Sequence, residues 1–350
     1  MHCVALLPLL ASLGTIAAAA PAAPDVDLIV KSFQLYPENA DYDFKRKQLH
    51  FGALYNSSVA TYSPSKNTIE NIIKFPPLTN DTFYHASGVK VDPFTDRLSV
   101  IINPGAAWTT GGKVISGDTW LIKVDLKTGL ELWRSNLTTA LDGKYGGYQD
   151  VAHDAVGNSY VIGTFPGSIL KVDPSGETVT PWYVSDETDT TVTGFTGIVY
   201  LGTKFLTTYG KKGQVQRWNS CGEQGKPTTV PIGTAGTPPT PDAVLENIEA
   251  ITLPKKYEGK VLLVASNTKG VYVLRSNDEW ETAENLGEIP NKYAESGGVV
   301  VTTVQVEDRL YAVLEYFDDI KNPVPETVAG NRTEFPLQDI TSAVGELLKK

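Results

Sequence analysis

The chain has 350 residues and carries 30 Lys+Arg against 40 Asp+Glu, a net charge of −10. An acidic chain with no basic cluster excludes attachment to nucleic acid or to an anionic membrane surface by bulk electrostatics. With 41% hydrophobic and 20% charged residues, 31 Gly, 22 Pro, 16 Tyr and one Met, it reads as a β-rich, turn-rich globular protein, and disorder, coiled coil and helical bundle are excluded.

Residues 4–20 are almost wholly small and apolar, too short and Ala-rich for a good membrane span, and Ala20-Pro21-Ala22 offers a small-x-small cleavage site. Residues 1–22 are therefore expected to be a secretory signal with no membrane anchor behind it, and residues 23–350 a single domain. Cys3 falls inside the leader, which leaves Cys221 alone. No disulfide, within the chain or to a partner, is expected. Asn56, Asn80, Asn136 and Asn331 each head an Asn-x-Ser/Thr triplet, matching glycosylation in a secretory lumen.

From residue 36 the chain repeats with a period of roughly fifty residues. Each unit has a strand, a polar turn, a second strand, and then an extended segment. The first runs Tyr36-Pro37-Glu38-Asn39, then residues 49–54 and 58–64. The second comprises residues 87–93, 98–102 and 120–125, and the third 149–152, 159–163 and 168–173. The fourth takes 195–198, 204–208 and 214–218, the fifth 248–251, 260–265 and 270–274, and the sixth 299–304 and 309–314. Alternation is plain in residues 270–274 and 310–314, and turns such as Asp125-Leu-Lys-Thr-Gly129 punctuate the units. Six such units predict an all-β, six-bladed propeller of four-stranded antiparallel sheets. Residues 226–241 hold five prolines and read as a long loop beside the fourth blade. Residues 335–340 are expected to pair with residues 28–35, closing a ring that otherwise leaves two sheet edges open. Residues 341–348 read as a helix with Thr341 as N-cap.

Common catalytic signatures are missing. No two glycines stand two apart, and there is no Gly-x-Ser-x-Gly, His-Glu-x-x-His or Cys-x-x-Cys. In a propeller the innermost strand of each blade starts at the channel, so its first residues ring one mouth. Here these are Glu38 and Asn39, His85 and Ser87, Gln149 and Asp150, Thr196, Asn247 and Glu249, and Thr302. Aromatic residues near the loops, among them Tyr84, Trp108, Tyr148, Trp182 and Tyr316, read either as an apolar lid over that mouth or as packing between blades.

The phrases Pro37-Glu38-Asn39-Ala40-Asp41-Tyr42-Asp43, Val151-Ala-His-Asp-Ala-Val-Gly-Asn-Ser-Tyr160 and Thr196-Gly197-Ile198 resemble blades of the gluconolactonase/strictosidine-synthase propeller superfamily. In its lactonases a glutamate, two asparagines and an aspartate hold a metal. Glu38 matches the glutamate, Thr196 stands where an asparagine is expected, and Glu249 lies near the aspartate's position. The layout more closely resembles secreted propellers of fungal secondary-metabolite clusters, of the trichothecene-cluster type and the hetero-Diels–Alderases of tropolonic sesquiterpenoid pathways. That likeness implies a cyclisation catalyst without cofactor or metal, acting on terpenoid or polyketide small molecules.

Three functions follow. The first is a pericyclase joining a quinone-methide-like oxadiene to a terpene alkene, with orientation supplying up to roughly 7–11 kcal/mol of the barrier. His85, Gln149 and Asp150 are its candidate catalytic groups, and Glu38, Tyr84, Ser87, Trp108, Tyr148, Trp182, Thr196, Glu249 and Tyr316 its candidate substrate contacts. The second is a metal-dependent lactonase using Glu38, Asp150 and Glu249. The third is a propeller that binds a ligand without chemistry.

Overall fold

A computed structural model describes residues 25–222 and 224–350; the leader and its cleavage site lie outside the described residues. Six antiparallel sheets stand in a ring. The innermost strands are Pro37–Asp43, Tyr84–Asp92, Gly146–His153, Phe195–Leu201, Ile248–Thr252 and Val299–Val306, one from each predicted unit. These strands are largely buried although several carry polar and charged residues, as in the Pro37–Asp43 strand, because each is covered by a blade on either side. The fold is the six-bladed propeller expected.

Closure follows the expected route. Leu28–Lys31 forms the outer strand of the last blade, with Leu28 opposite Leu337 and Val30 opposite Phe335. The helix Thr341–Leu348 follows at once. Thr341 is not its N-cap: Ile340 holds that position, and the Thr341 hydroxyl accepts the Leu310 N–H at 2.9 Å. Residues 226–241 also differ from the expected loop. They give the fourth blade a two-residue outer strand, Thr228–Thr229, and then a hairpin, Ile232–Thr234 with Thr237–Thr240, which pairs in parallel with the outer strand of the fifth blade. Prolines remove ladder donors, so the fourth blade's outer strand stays short, and the hairpin covers an edge that is otherwise open.

Cys221 is disulfide-bonded, which corrects the expectation of an unpaired thiol. That expectation had discounted Cys3 with the leader; Cys3, the sequence's other cysteine, lies outside the described residues.

The core lies between blades. Tyr160, Trp182, Phe195, Phe205 and Trp218 fill the wedge between the third and fourth, with ring centroids 4.4–5.8 Å apart in the pairs Tyr160–Phe205, Tyr160–Trp182 and Trp182–Phe205. Near the axis the backbones approach too closely for a side chain. A Cβ on Gly88 would lie 2.7 Å from the Gln149 carbonyl oxygen, and one on Gly197 would lie 2.7 Å from the Ile251 nitrogen.

Candidate active site at the bulged mouth

All six innermost strands carry an irregularity at the same level. The register skips Glu38 between Pro37 and Asn39, Gln149 between Tyr148 and Asp150, Thr196 between Phe195 and Gly197, and Val301 between Val300 and Thr302. It shifts likewise between Ala86 and Val89 and between Ile248 and Ile251, the latter interval holding Glu249. A bulge inserts a residue outside the ladder and re-aims its side chain. Repeated around the ring, it turns Glu38, Gln149 and Glu249 toward the channel mouth.

Glu249 is clamped by two amides. Asn267 Nδ2 donates to Oε1 and Gln149 Nε2 donates to Oε2, both at 2.8 Å, while Thr164 Oγ1 donates to Gln149 Oε1 at 3.0 Å. Burial pushes the Glu249 carboxyl up to about 7, against the pull of those two amides. Glu38 is also raised, well above 4.5, by burial first and then by the neighbouring Glu249 and Glu315 charges, and its Oε2 has no hydrogen-bond partner. Glu315 ends the second strand of the last blade and has no exposed surface. Neither of its oxygens has an aligned partner, and burial raises it well above the carboxylate range although the Tyr316 amide and Arg332 pull the other way. In an apolar setting the neutral form of a carboxylic acid is favoured. Burial thus favours the neutral acid at Glu38 and Glu315, and Glu249 titrates at about 7.

His85 sits beside Tyr55, edge-on at 5.2 Å between centroids, and packs where a Cβ on Gly105 would stand 2.5 Å from its Cε1. Burial lowers it to about 4, so it is a neutral imidazole.

The other sequence candidates divide. Asp150 is engaged by backbone: Oδ1 accepts the Val151 N–H at 2.9 Å, and Oδ2 accepts the Ile198 N–H of the next blade at 3.1 Å. Ser87 Oγ donates to the Tyr148 carbonyl at 2.9 Å and accepts from Asn103 Nδ2 at 2.7 Å. Thr196 Oγ1 bonds Thr208 Oγ1 at 2.8 Å and donates to the Ile248 carbonyl at 3.0 Å. Tyr148 and Trp182 are buried in clusters between blades, and Tyr316 is buried beneath the Arg332 guanidinium, 3.5 Å from its ring. These three form no lid: Tyr148 and Trp182 pack between blades, and Tyr316, just past its strand, packs on Phe335 of its own blade. Trp108, against Phe165 at 6.2 Å, and Tyr84, against Phe83 at 5.0 Å, stay half-exposed near the mouth. Glu315 and Asn267 were missed. The available signal for Glu315 was a glutamate closing the apolar run 310–314.

The residues do not fit a lactonase metal centre. Asp150 has both oxygens on backbone amides, Thr196 is engaged within the sheets, and no three acidic, histidine or cysteine groups among the described residues gather closely enough to hold an ion. A cavity of about 570 Å³ opens at the opposite mouth, and none of the sequence candidates lines it.

The ring and its bulged mouth define a six-bladed propeller with a polar axial site, a fold shared with gluconolactonase-like proteins. A gluconolactonase from Xanthomonas campestris superposes with a TM-score of 0.53 at 14% identity, over 91% of this chain and 98% of that one. Residues 113–291 match the family described as Mal s 1 allergenic protein-like, and the chain belongs to that family. The crystal structure of the Malassezia sympodialis allergen Mala s 1 matches with a TM-score of 0.76 at 21% identity, over 91% of this chain and 96% of that one. Trichothecene biosynthesis protein 14 of Trichoderma arundinaceum is 31% identical over 344 residues, covering 94% of this chain and 91% of the relative. The core trichothecene cluster protein 14 of Fusarium sporotrichioides is 30% identical over 341 residues, 92% and 86% of the two chains.

Proposed function

We propose that this protein acts in fungal secondary metabolism as a cofactor-independent cyclase, promoting a hetero-Diels–Alder closure between a quinone-methide-like oxadiene and a terpene alkene. The names of the cluster relatives support the metabolic setting. The observation that carries the chemistry is the raised, under-bonded Glu38 carboxyl at the bulged mouth, whose Oε2 has no partner. A neutral carboxyl donates a hydrogen bond as well as accepting one. Aimed at the oxadiene carbonyl, it withdraws electron density as negative charge builds on that oxygen in the transition state. Two σ-bonds form, the diene π-electrons shift, and no proton is transferred overall, so the site needs neither base nor nucleophile. Neutral His85 offers a second donor, and half-exposed Trp108 and Tyr84 offer apolar surface. We also propose that the chain is secreted and glycosylated.

Incubation of the purified protein with a generated o-quinone methide and a cyclic terpene alkene tests this reading. Accelerated adduct formation with one dominant stereoisomer is expected, unchanged by chelator. Glu38→Gln, which keeps a donor, retains most of the rate, and Glu38→Leu loses about ten-fold or more. A product mixture identical to that in buffer, or full activity in Glu38→Leu, overturns it.

A further inference from the structure

The cavity of about 570 Å³ lies at the other end of the channel, where the innermost strands finish. Two contacts cross its opening. Phe94, from the turn of the second blade, reaches Tyr200 of the fourth, with centroids 6.1 Å apart; Lys255, beyond the fifth blade's inner strand, lies 4.0 Å over the Phe44 ring of the first. Leu253 adds apolar wall, and Phe94 is 48% exposed although it is a large apolar side chain. On the inner wall stands Lys90, half-buried, with no side-chain hydrogen bond or ion pair among the described residues. An ammonium has three donors and no acceptor, so an unpartnered one facing a cavity calls for an oxygen.

The charges around it select which oxygen. Asp41 and Asp150 act on Lys90 and hold its amine above the ordinary lysine range against the cost of burial. Asp41 and Asp150 are themselves fixed by the Val91 and Ile198 amides. Of the other cations nearby, Arg46 pairs with Asp43 and Asp96, Lys45 with Asp96 and Lys123 with Asp92, while Lys255 stands over Phe44 with no ion pair and, with Lys90, is balanced by Asp41 and Asp150. The chamber thus offers a donor without surplus positive charge, and a ligand anion would meet carboxylates. We propose that this chamber binds a neutral, largely apolar ring compound carrying a carbonyl or hydroxyl oxygen, which accepts a hydrogen bond from Lys90 Nζ while Phe44, Phe94 and Tyr200 cover its rings. The site is separate from the bulged mouth and does not rest on the cyclase reading.

Three probes of equal shape test it by calorimetry and ligand-observed NMR: 1-tetralone, tetralin and 1,2,3,4-tetrahydro-1-naphthoate. The ketone binds about five-fold or more tighter than the hydrocarbon, and tighter than the carboxylate. Phe94→Ala, on an exposed turn, weakens the ketone about five-fold. Lys90→Met levels ketone with hydrocarbon, and Glu249→Gln at the opposite mouth changes nothing. Preference for the carboxylate, indifference to Phe94→Ala, or loss of binding in Glu249→Gln overturns the proposal.

Discussion

A single carboxylate shows how position along one strand separates construction from chemistry. Glu38 and Gln149 are bulge residues and face the channel, whereas Asp41 and Asp150, three and one positions later, return to the ladder and tie neighbouring blades together. Asp150→Ala leaves the Val151 and Ile198 amides without that acceptor and Lys90 without one carboxylate. It should cost on the order of 3 kcal/mol in denaturant unfolding; a loss below roughly 0.5 kcal/mol would mean Asp150 does not join the blades. Residue identity alone did not sort these groups, because the sequence shows a polar residue near the axis but not which side of the pleat it takes. The same holds for Tyr148 and Trp182, where a one-residue change in facing turns a lid into packing. The sequons sort by exposure. Asn80, on a positive-φ turn, and Asn331 are exposed, while the Asn56 and Asn136 amides donate to the Gln34 carbonyl and the Asp118 carboxylate. Glycopeptide mapping of secreted protein should find glycan on Asn80 and Asn331 and not on the other pair; the reverse occupancy would contradict this.

Blades were legible because strand alternation and turn residues are local signals, repeated six times. Closure was legible because apolar residues remained at both ends of the repeat. The bulges were not, since a bulge is a relation between two strands and neither carries its mark alone. The hairpin after the fourth blade was hidden by its prolines, which read as loop but sit at an edge where no donor is needed. Terminal pairing makes stability a property of the whole ring. Deleting residues 25–31 uncovers the outer edge of Glu334–Asp339. The protein should then melt in one transition about 5 °C or more lower, since ~1 kcal/mol shifts the midpoint of a domain this large by about 2–4 °C. An unchanged midpoint would show that the ring closes without this strand.

The whole molecule buries acids and imidazoles in opposition. Burial holds His50 and His85 at about 4, and holds His153, between Lys123 and Asp92, well below 6.5. Unfolded histidine takes a proton below 6.5 and these do not, so their contribution to stability is lost as pH falls from 6.5 toward 4. The mouth glutamates run the other way. Their protons are retained on folding above 4.5, so that contribution is lost as pH rises, through about 7 for Glu249. Glu249→Gln removes one such group, and its stability relative to the parent should be higher at pH 8 than at pH 5, by at most about 1.4 kcal/mol per unit crossed; a difference independent of pH would contradict the raised carboxyl. The protonation of the mouth itself is read most directly by infrared titration of protein with ¹³C-labelled glutamate carboxyls. Protonated glutamic acid should persist well above the ordinary carboxylate range, with one component disappearing near pH 7 and lost in Glu249→Gln, and with the remainder reduced in Glu38→Gln and Glu315→Gln. If every glutamate is ionised by pH 6, the mouth holds no neutral acid and the catalytic account fails.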